Sequence, residues 1–238
     1  MTRPAPVGIL GGTFDPIHSG HIDAGHAAAL AIGLNRLVVI PSNIPPHRPQ
    51  PQASPFHRFA MISLAVGGNA GWRGSDVELR AESASYTSTT LGKFHERGYA
   101  AAELFFIIGA DAFAEIETWK DYPGILDLAH FAVVSRPRFH VSELPARLPV
   151  LKPRMTVPPI DEFSQMEPLI LLIDALTADV SSTAIRQRVA DRESISGLVP
   201  ASVQQHIEQH GLYENPLHSA GDSRDEWRRA ASRLHGQD

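Results

Sequence analysis

The amino-acid sequence predicts an α/β protein, a doubly wound parallel sheet with helices on both faces and a small helical part at the C-terminal end. Two observations point there. Short apolar runs alternate with stretches of helical character over most of the 238 residues, the pattern of strand–helix units that build a parallel sheet. The residues able to do chemistry fall directly behind the apolar runs, at 11–21, 41–48 and 109–111. Parallel sheets bind ligands there, outside the carboxyl ends of their strands.

Each element has its own warrant. Val7–Leu10 reads as a short buried strand, after which Gly11 and Gly12 permit a tight turn. Ile22–Ile32 is alanine-rich and has strong helix propensity. Leu37–Ile40 is a second strand. Six prolines in residues 41–55 forbid a regular helix and leave a rigid loop, a candidate lid. Pro55–Val66, Thr87–Arg97 and Ala112–Trp119 read as helices. Leu104–Ile108, Phe131–Val134 and Leu169–Ile173 read as strands. A serine before Ala-Ile-Arg-Gln-Arg marks a helix start near residue 182. Residues 198–213, LVPASVQQHIEQHGLY, form a last helix with Pro200 in its first turn and Gly211 as its cap. Residues 1–213 thus make one domain. Residues 214–238 are polar and read as a flexible tail. Trp227, Ala231 and Leu234 fall there at helical spacing, which also allows a contact with a neighbouring subunit in a homo-oligomer.

Composition narrows the function classes. Cysteine is absent, which excludes disulfides and cysteine nucleophiles or metal sites and fits a reducing compartment. The net charge is −5 with no long basic run, so nothing suggests a nucleic-acid partner. No apolar stretch reaches the length of a membrane span, and the N-terminus commits to a strand too soon for a signal peptide. A cytoplasmic protein is expected.

The chemistry concentrates in residues 8–21, GILGGTFDPIHSGH. Strand, glycine turn, His18, His21 and helix start follow one another. Free backbone N–H groups and the positive end of a helix dipole make such a junction a phosphate site. The imidazoles can donate to phosphoryl oxygens. The dinucleotide fingerprint G-x-G-x-x-G and the Walker A lysine are both missing. A metal site would need a third ligand cluster beside the histidine pair, and the motif H-E-x-x-H does not occur.

GGTFDPIHSGH, residues 11–21, resembles the signature of the nucleotidyltransferase superfamily that carries the H-x-G-H motif. The fold this implies is Rossmann-like. The activity it implies is transfer of a nucleotidyl group to a phosphate-bearing acceptor with release of pyrophosphate. The resemblance gives His18 and His21 the catalytic role, through contacts with the triphosphate. It assigns Gly11, Gly12, Thr13 and Phe14 to ATP. Ser181-Ser182-Thr183-Ala184-Ile185-Arg186 resembles the I-S-S-T-x-I-R string of the same superfamily, with Val180 in place of the usual isoleucine. Ser181, Ser182 and Thr183 are therefore expected at the ATP phosphates. Arg186 is expected to bind them too, as a catalytic cation.

Further strings resemble the bacterial nicotinate mononucleotide adenylyltransferase family over roughly residues 7–213. PPHR resembles that family's PP-H-[KR] loop and implies that Arg48 and His47 meet the acceptor nucleotide. Ser85-Tyr86-Thr87, IIGADAF with Gly109 and Asp111, Trp119 and Arg136 complete the implied acceptor site. There Thr87 receives the nicotinate carboxylate, Trp119 stacks on the pyridine ring and Asp111 holds the ribose side. One departure is Lys120, where the family often has an aromatic residue. The expected partners are ATP and nicotinate mononucleotide, with Mg²⁺ carried on the ATP phosphates and no metal ligand from the protein. Nicotinamide mononucleotide or phosphopantetheine as acceptor, and a non-catalytic nucleotide-binding regulator, are the alternatives.

Overall fold

The computed structural model describes residues 5–45, 49–81, 83–160 and 167–215. His47 and Arg48, and most of the 214–238 tail, lie outside those residues. Along the chain come β1 (Val7–Gly12), α1 (Ser19–Ile32), β2 (Leu37–Pro41), α2 (Pro55–Val66) and β3 (Trp72–Gly74). Then follow α3 (Thr87–Glu96), β4 (Leu104–Gly109), the single turn α4 (Ala110–Phe113) and β5 (His130–Val134). After the short α5 (Leu144–Arg147) come β6 (Met155–Thr156), β7 (Ile170–Ile173), α6 (Ser182–Ala190) and α7 (Ala201–Gln209).

The sheet has seven strands in the order β3-β2-β1-β4-β5-β7-β6, and every pairing is parallel. The doubly wound fold is as expected. Alternation along the strands builds two cores. Val7 and Ile9 of β1, Phe106 of β4 and Phe131 and Val133 of β5 face one side, where Leu91 and Phe94 of α3 and Phe113 of α4 cover them. Leu10, Val39, Ile107, Ala132 and Val134 face the other, beneath α1, α2, α6 and α7. Strands buried on both faces explain why each apolar run is continuous rather than alternating.

The topology places the site. From β1 the chain moves out to β2 and β3, then returns to lay β4 against the opposite edge of β1. That reversal opens a crevice beyond the carboxyl ends of β1 and β4, the position where such sheets bind ligands.

The structure departs from the sequence reading in three places. Residues 112–119 do not form one helix. α4 ends at Phe113, and a 3-10 turn covers Ile116–Thr118. Phe113 and Ile116 are both fully buried, and their spacing of three suits the tighter turn. The Thr118 hydroxyl donates to the Glu115 carbonyl at 2.7 Å, a local bond that competes with the helix ladder. Trp119 therefore leaves the turn in extended backbone. The edge strands β3 and β6 were not expected. They span only three and two residues and carry no apolar run. In α7, Pro200 stands at the cap rather than in the first turn, while Gly211 does turn the chain out, at φ 55°.

Candidate active site

The β1–α1 junction is fixed from both ends of the chain. His18 caps α1 with extended backbone and is 2% exposed. Its backbone N–H donates to His21 Nδ1 at 3.3 Å. The two rings stack with centroids 3.7 Å apart, and Phe14 meets His21 edge-on. As Nδ1 of His21 accepts, the neutral ring carries its proton on Nε2. Burial, helped by the Arg136 guanidinium, pulls the His18 pKa down to about 3. The ring is therefore neutral at pH 7. Its Nδ1 is buried without a hydrogen-bond partner.

Close approach requires glycine at position 20. A Cβ there would stand 2.9 Å from the Ala178 carbonyl oxygen and 3.2 Å from a guanidinium nitrogen of Arg136. Arg136, just past β5, donates to the Gly20 carbonyl at 3.1 Å. At the end of β4, a Cβ on Gly109 would lie 2.5 Å from Asp111 Oδ1 and 3.2 Å from the Arg136 side chain. His18, His21, Gly20, Gly109, Asp111 and Arg136 therefore form one cluster at the crevice.

Asp15, two residues beyond Thr13, is the hub of a second network. Its carboxylate accepts from the backbone N–H groups of Gln52 and Ala53 at 2.8 and 3.0 Å. It also accepts from the Tyr213 hydroxyl at 2.8 Å. Burial and the Asp15 charge push the Tyr213 phenol far above its ordinary pKa, so it stays a donor. Arg186 donates to the Asp15 carbonyl at 2.7 Å and to Thr183 Oγ1 at 3.3 Å. Its guanidinium also lies 3.8 Å from the Asp15 carboxylate. The Ser182 hydroxyl donates to the Pro16 carbonyl at 2.9 Å, and Ser181 caps α6 by accepting from Ala184 N–H. The start of α6 thus rests directly on the 13–16 turn. Arg58, fully buried, donates to the Thr13 carbonyl at 2.7 Å.

The other side of the crevice starts at α3. Tyr86 is its cap residue and Thr87 its first. The Ser88 hydroxyl donates to Asp121 at 2.6 Å. Lys120 extends over the Tyr86 ring, 4.7 Å from its centroid, and lies 3.6 Å from the Asp121 carboxylate. Lys120 thus has a neutralising partner. Trp119 packs edge-on against Phe106, whose ring lies 3.2 Å from where a Cβ on Gly11 would stand. The chain Gly11–Phe106–Trp119 couples the glycine turn to this side. The loop after β2 joins as well, since the Asn43 N–H donates to Ser85 Oγ at 2.8 Å.

Sequence reasoning passed over Asp15, Arg58 and Tyr213. Arg58 left a signal: it occupies a stripe with Met61, Ile62 and Ala65, all buried on the inner face of α2. An arginine on an apolar stripe marks a buried charge with partners.

A glycine turn and an H-x-G-H string at the switch point of a parallel sheet go with the α/β nucleotidyltransferases, the class to which the chain belongs. A family model described as cytidylyltransferase-like matches residues 9–188. The chain belongs to this family and, within it, to the nicotinate-nucleotide adenylyltransferases. It is 39% identical over 211 residues to a probable nicotinate-nucleotide adenylyltransferase of Desulfitobacterium hafniense, covering 88% of this chain and 96% of that one. It is 37% identical over 206 residues to the nicotinate-nucleotide adenylyltransferase of Salmonella typhimurium, covering 86% and 97%. Among solved structures, Plasmodium falciparum nicotinic acid mononucleotide adenylyltransferase complexed with NaAD shares the fold. The TM-score is 0.66 at 16% identity, over 88% of this chain and 98% of that one.

Proposed function

We propose that the protein transfers the adenylyl group of ATP to nicotinate mononucleotide, forming nicotinate adenine dinucleotide and pyrophosphate in NAD biosynthesis. The observation that carries this reading is the intact H-x-G-H turn at the switch point, in a chain 39% identical to a probable nicotinate-nucleotide adenylyltransferase. The acceptor phosphate is already an anion and attacks the α-phosphorus in line, so no covalent intermediate is required. The protein positions the two reactants and stabilises charge. His21, with its proton on Nε2, donates to an oxygen whose charge grows in the transition state. His18 adds a second neutral donor without the repulsion that two imidazolium rings 3.7 Å apart would suffer. Arg186 is held on its inner side by Asp15 and Thr183 and turns its remaining donors to the leaving pyrophosphate.

Thr13, Phe14, Ser181 and Ser182 shape the ATP side in this reading. Tyr86, Thr87 and Trp119 hold the pyridine end, and Asp111, Gly109 and Arg136 border the acceptor's ribose and phosphate. His47 and Arg48 are assigned to the acceptor from the PPHR string alone. Mg²⁺ fits as cargo of the triphosphate, neutralising phosphate charge when bound. Asp15 is committed to protein donors. Absent cysteine and a net charge of −5 fit a cytoplasmic enzyme of small anionic nucleotides.

The test is pyrophosphate release from ATP and Mg²⁺ with nicotinate mononucleotide, nicotinamide mononucleotide or phosphopantetheine as acceptor. Strong preference for the nicotinate compound is expected. Release only with another acceptor overturns the pocket assignment, and ATP binding without release overturns catalysis.

A further inference from the structure

Away from the crevice, three histidines converge where α2 packs on α7. His57 Nδ1 and His206 Nε2 lie 3.1 Å apart and share a hydrogen bond. His210, one turn beyond His206, brings its ring centroid within 4.2 Å of the His206 ring and 5.0 Å of the His57 ring. One nitrogen from each ring lies within 4.8 Å of the other two. The elements they join are 149 residues apart in sequence.

We infer that His57, His206 and His210 form a binding site for one divalent transition-metal ion of the zinc class, stapling α2 to α7. Ligand type supports this, because an all-imidazole set suits zinc, nickel and copper rather than Mg²⁺ or Ca²⁺. Geometry supports it further. Two nitrogens bound tetrahedrally to zinc lie about 3.3 Å apart, close to the separation His57 and His206 already show. His210 donates from Nδ1 to the His206 carbonyl at 2.9 Å. That bond fixes the tautomer and leaves Nε2 as the lone-pair nitrogen, the arrangement that orients metal-bound histidines. On binding, the proton shared by His57 and His206 moves to the far nitrogen of its own ring. Metal replaces it with no net change in charge on the imidazoles. His57 and His206 are half-buried and His210 exposed, so a fourth position faces solvent and takes water.

The position gives the ion a structural consequence. Four and five residues before His57 stand Ala53 and Gln52, which hold Asp15. Three residues after His210 comes Tyr213, which holds the same carboxylate. One ion at the seam fixes both arms that close on Asp15.

The full chain, stripped with chelator and desalted at pH 7.5, is incubated with Zn²⁺ and passed through gel filtration, and retained metal is measured with the melting temperature. About one Zn²⁺ per chain is expected, with a melting temperature raised by about 5–10 °C at saturating metal. His206→Gln and His210→Ala should each weaken binding by about tenfold or more. His26→Ala, on a surface histidine paired with Asn69, should not. If His206→Gln fails to fold, the exposed His210→Ala decides alone. No retained zinc and no thermal shift, or retention unaffected by the His210 and His206 substitutions, overturns the site. Neither readout depends on adenylyl transfer.

Discussion

His18 illustrates how much one buried ring decides. Its neutral state follows from burial beneath Arg136, and its stacking on His21 leaves both imidazoles aimed by the backbone rather than by solvent. His18→Ala removes one transition-state donor and should lower kcat about 100-fold, measured as pyrophosphate release at saturating ATP. Near-normal turnover would remove His18 from the mechanism. Tyr213→Phe tests the second network. It deletes a donor to a buried carboxylate and should cost about 1–3 kcal/mol of stability, read by chemical denaturation. An unchanged midpoint would mean that water replaces the phenol at no cost. These residues were unequally legible. His18, His21 and Arg186 are visible in sequence because their strings have fixed spacing. The partnership of Asp15 with Tyr213 is not, because it joins positions 198 residues apart, and no local pattern encodes a contact of that range.

At the scale of elements, α6 shows how a helix start becomes part of a site. Ser181 accepts from Ala184 N–H, while Ser182 is tied to Pro16 and Arg186 to Asp15. Ser181→Ala should cost about 1 kcal/mol, lowering the melting temperature by roughly 2–4 °C, and should raise the KM for ATP more than it lowers kcat. A larger fall in kcat with KM unchanged would place Ser181 in the chemistry instead of in positioning. Elements with continuous apolar runs, such as β1 and β4, could be read from the chain because burial on both faces leaves an unbroken signal. β3 and β6 could not, since two or three edge residues need only backbone pairing. The break after Phe113 was equally hidden. Helix propensity favours continuation there, and the packing of Ile116 and the Thr118 side-chain bond override it.

Across the whole molecule, two buried histidines set the response to acid. Burial lowers His18 to about 3 and His130 to about 4, against an ordinary value of 6.5. His130 is packed against Phe105 and accepts from Leu169 N–H. Both rings take up protons in the unfolded chain before they do so in the folded one. Stability is therefore complete above pH 6.5 and falls as pH drops from there toward 3–4. Each ring should contribute a loss of about 2 kcal/mol at pH 5. Denaturation midpoints at pH 8 and pH 5 measure the sum, and His18→Asn, which keeps a good helix cap, should remove about half of the slope. A slope that His18→Asn leaves intact would mean that other groups govern it. The clamp on Asp15 has a consequence for the protein's birth. The chain leaves the ribosome N-terminus first at about 5–20 residues per second, so the histidine turn emerges roughly 10–40 s before Tyr213 arrives to latch it. During that interval a nascent chain carries the histidine turn without its closure, and ATP turnover is expected to begin only after Tyr213 has been added.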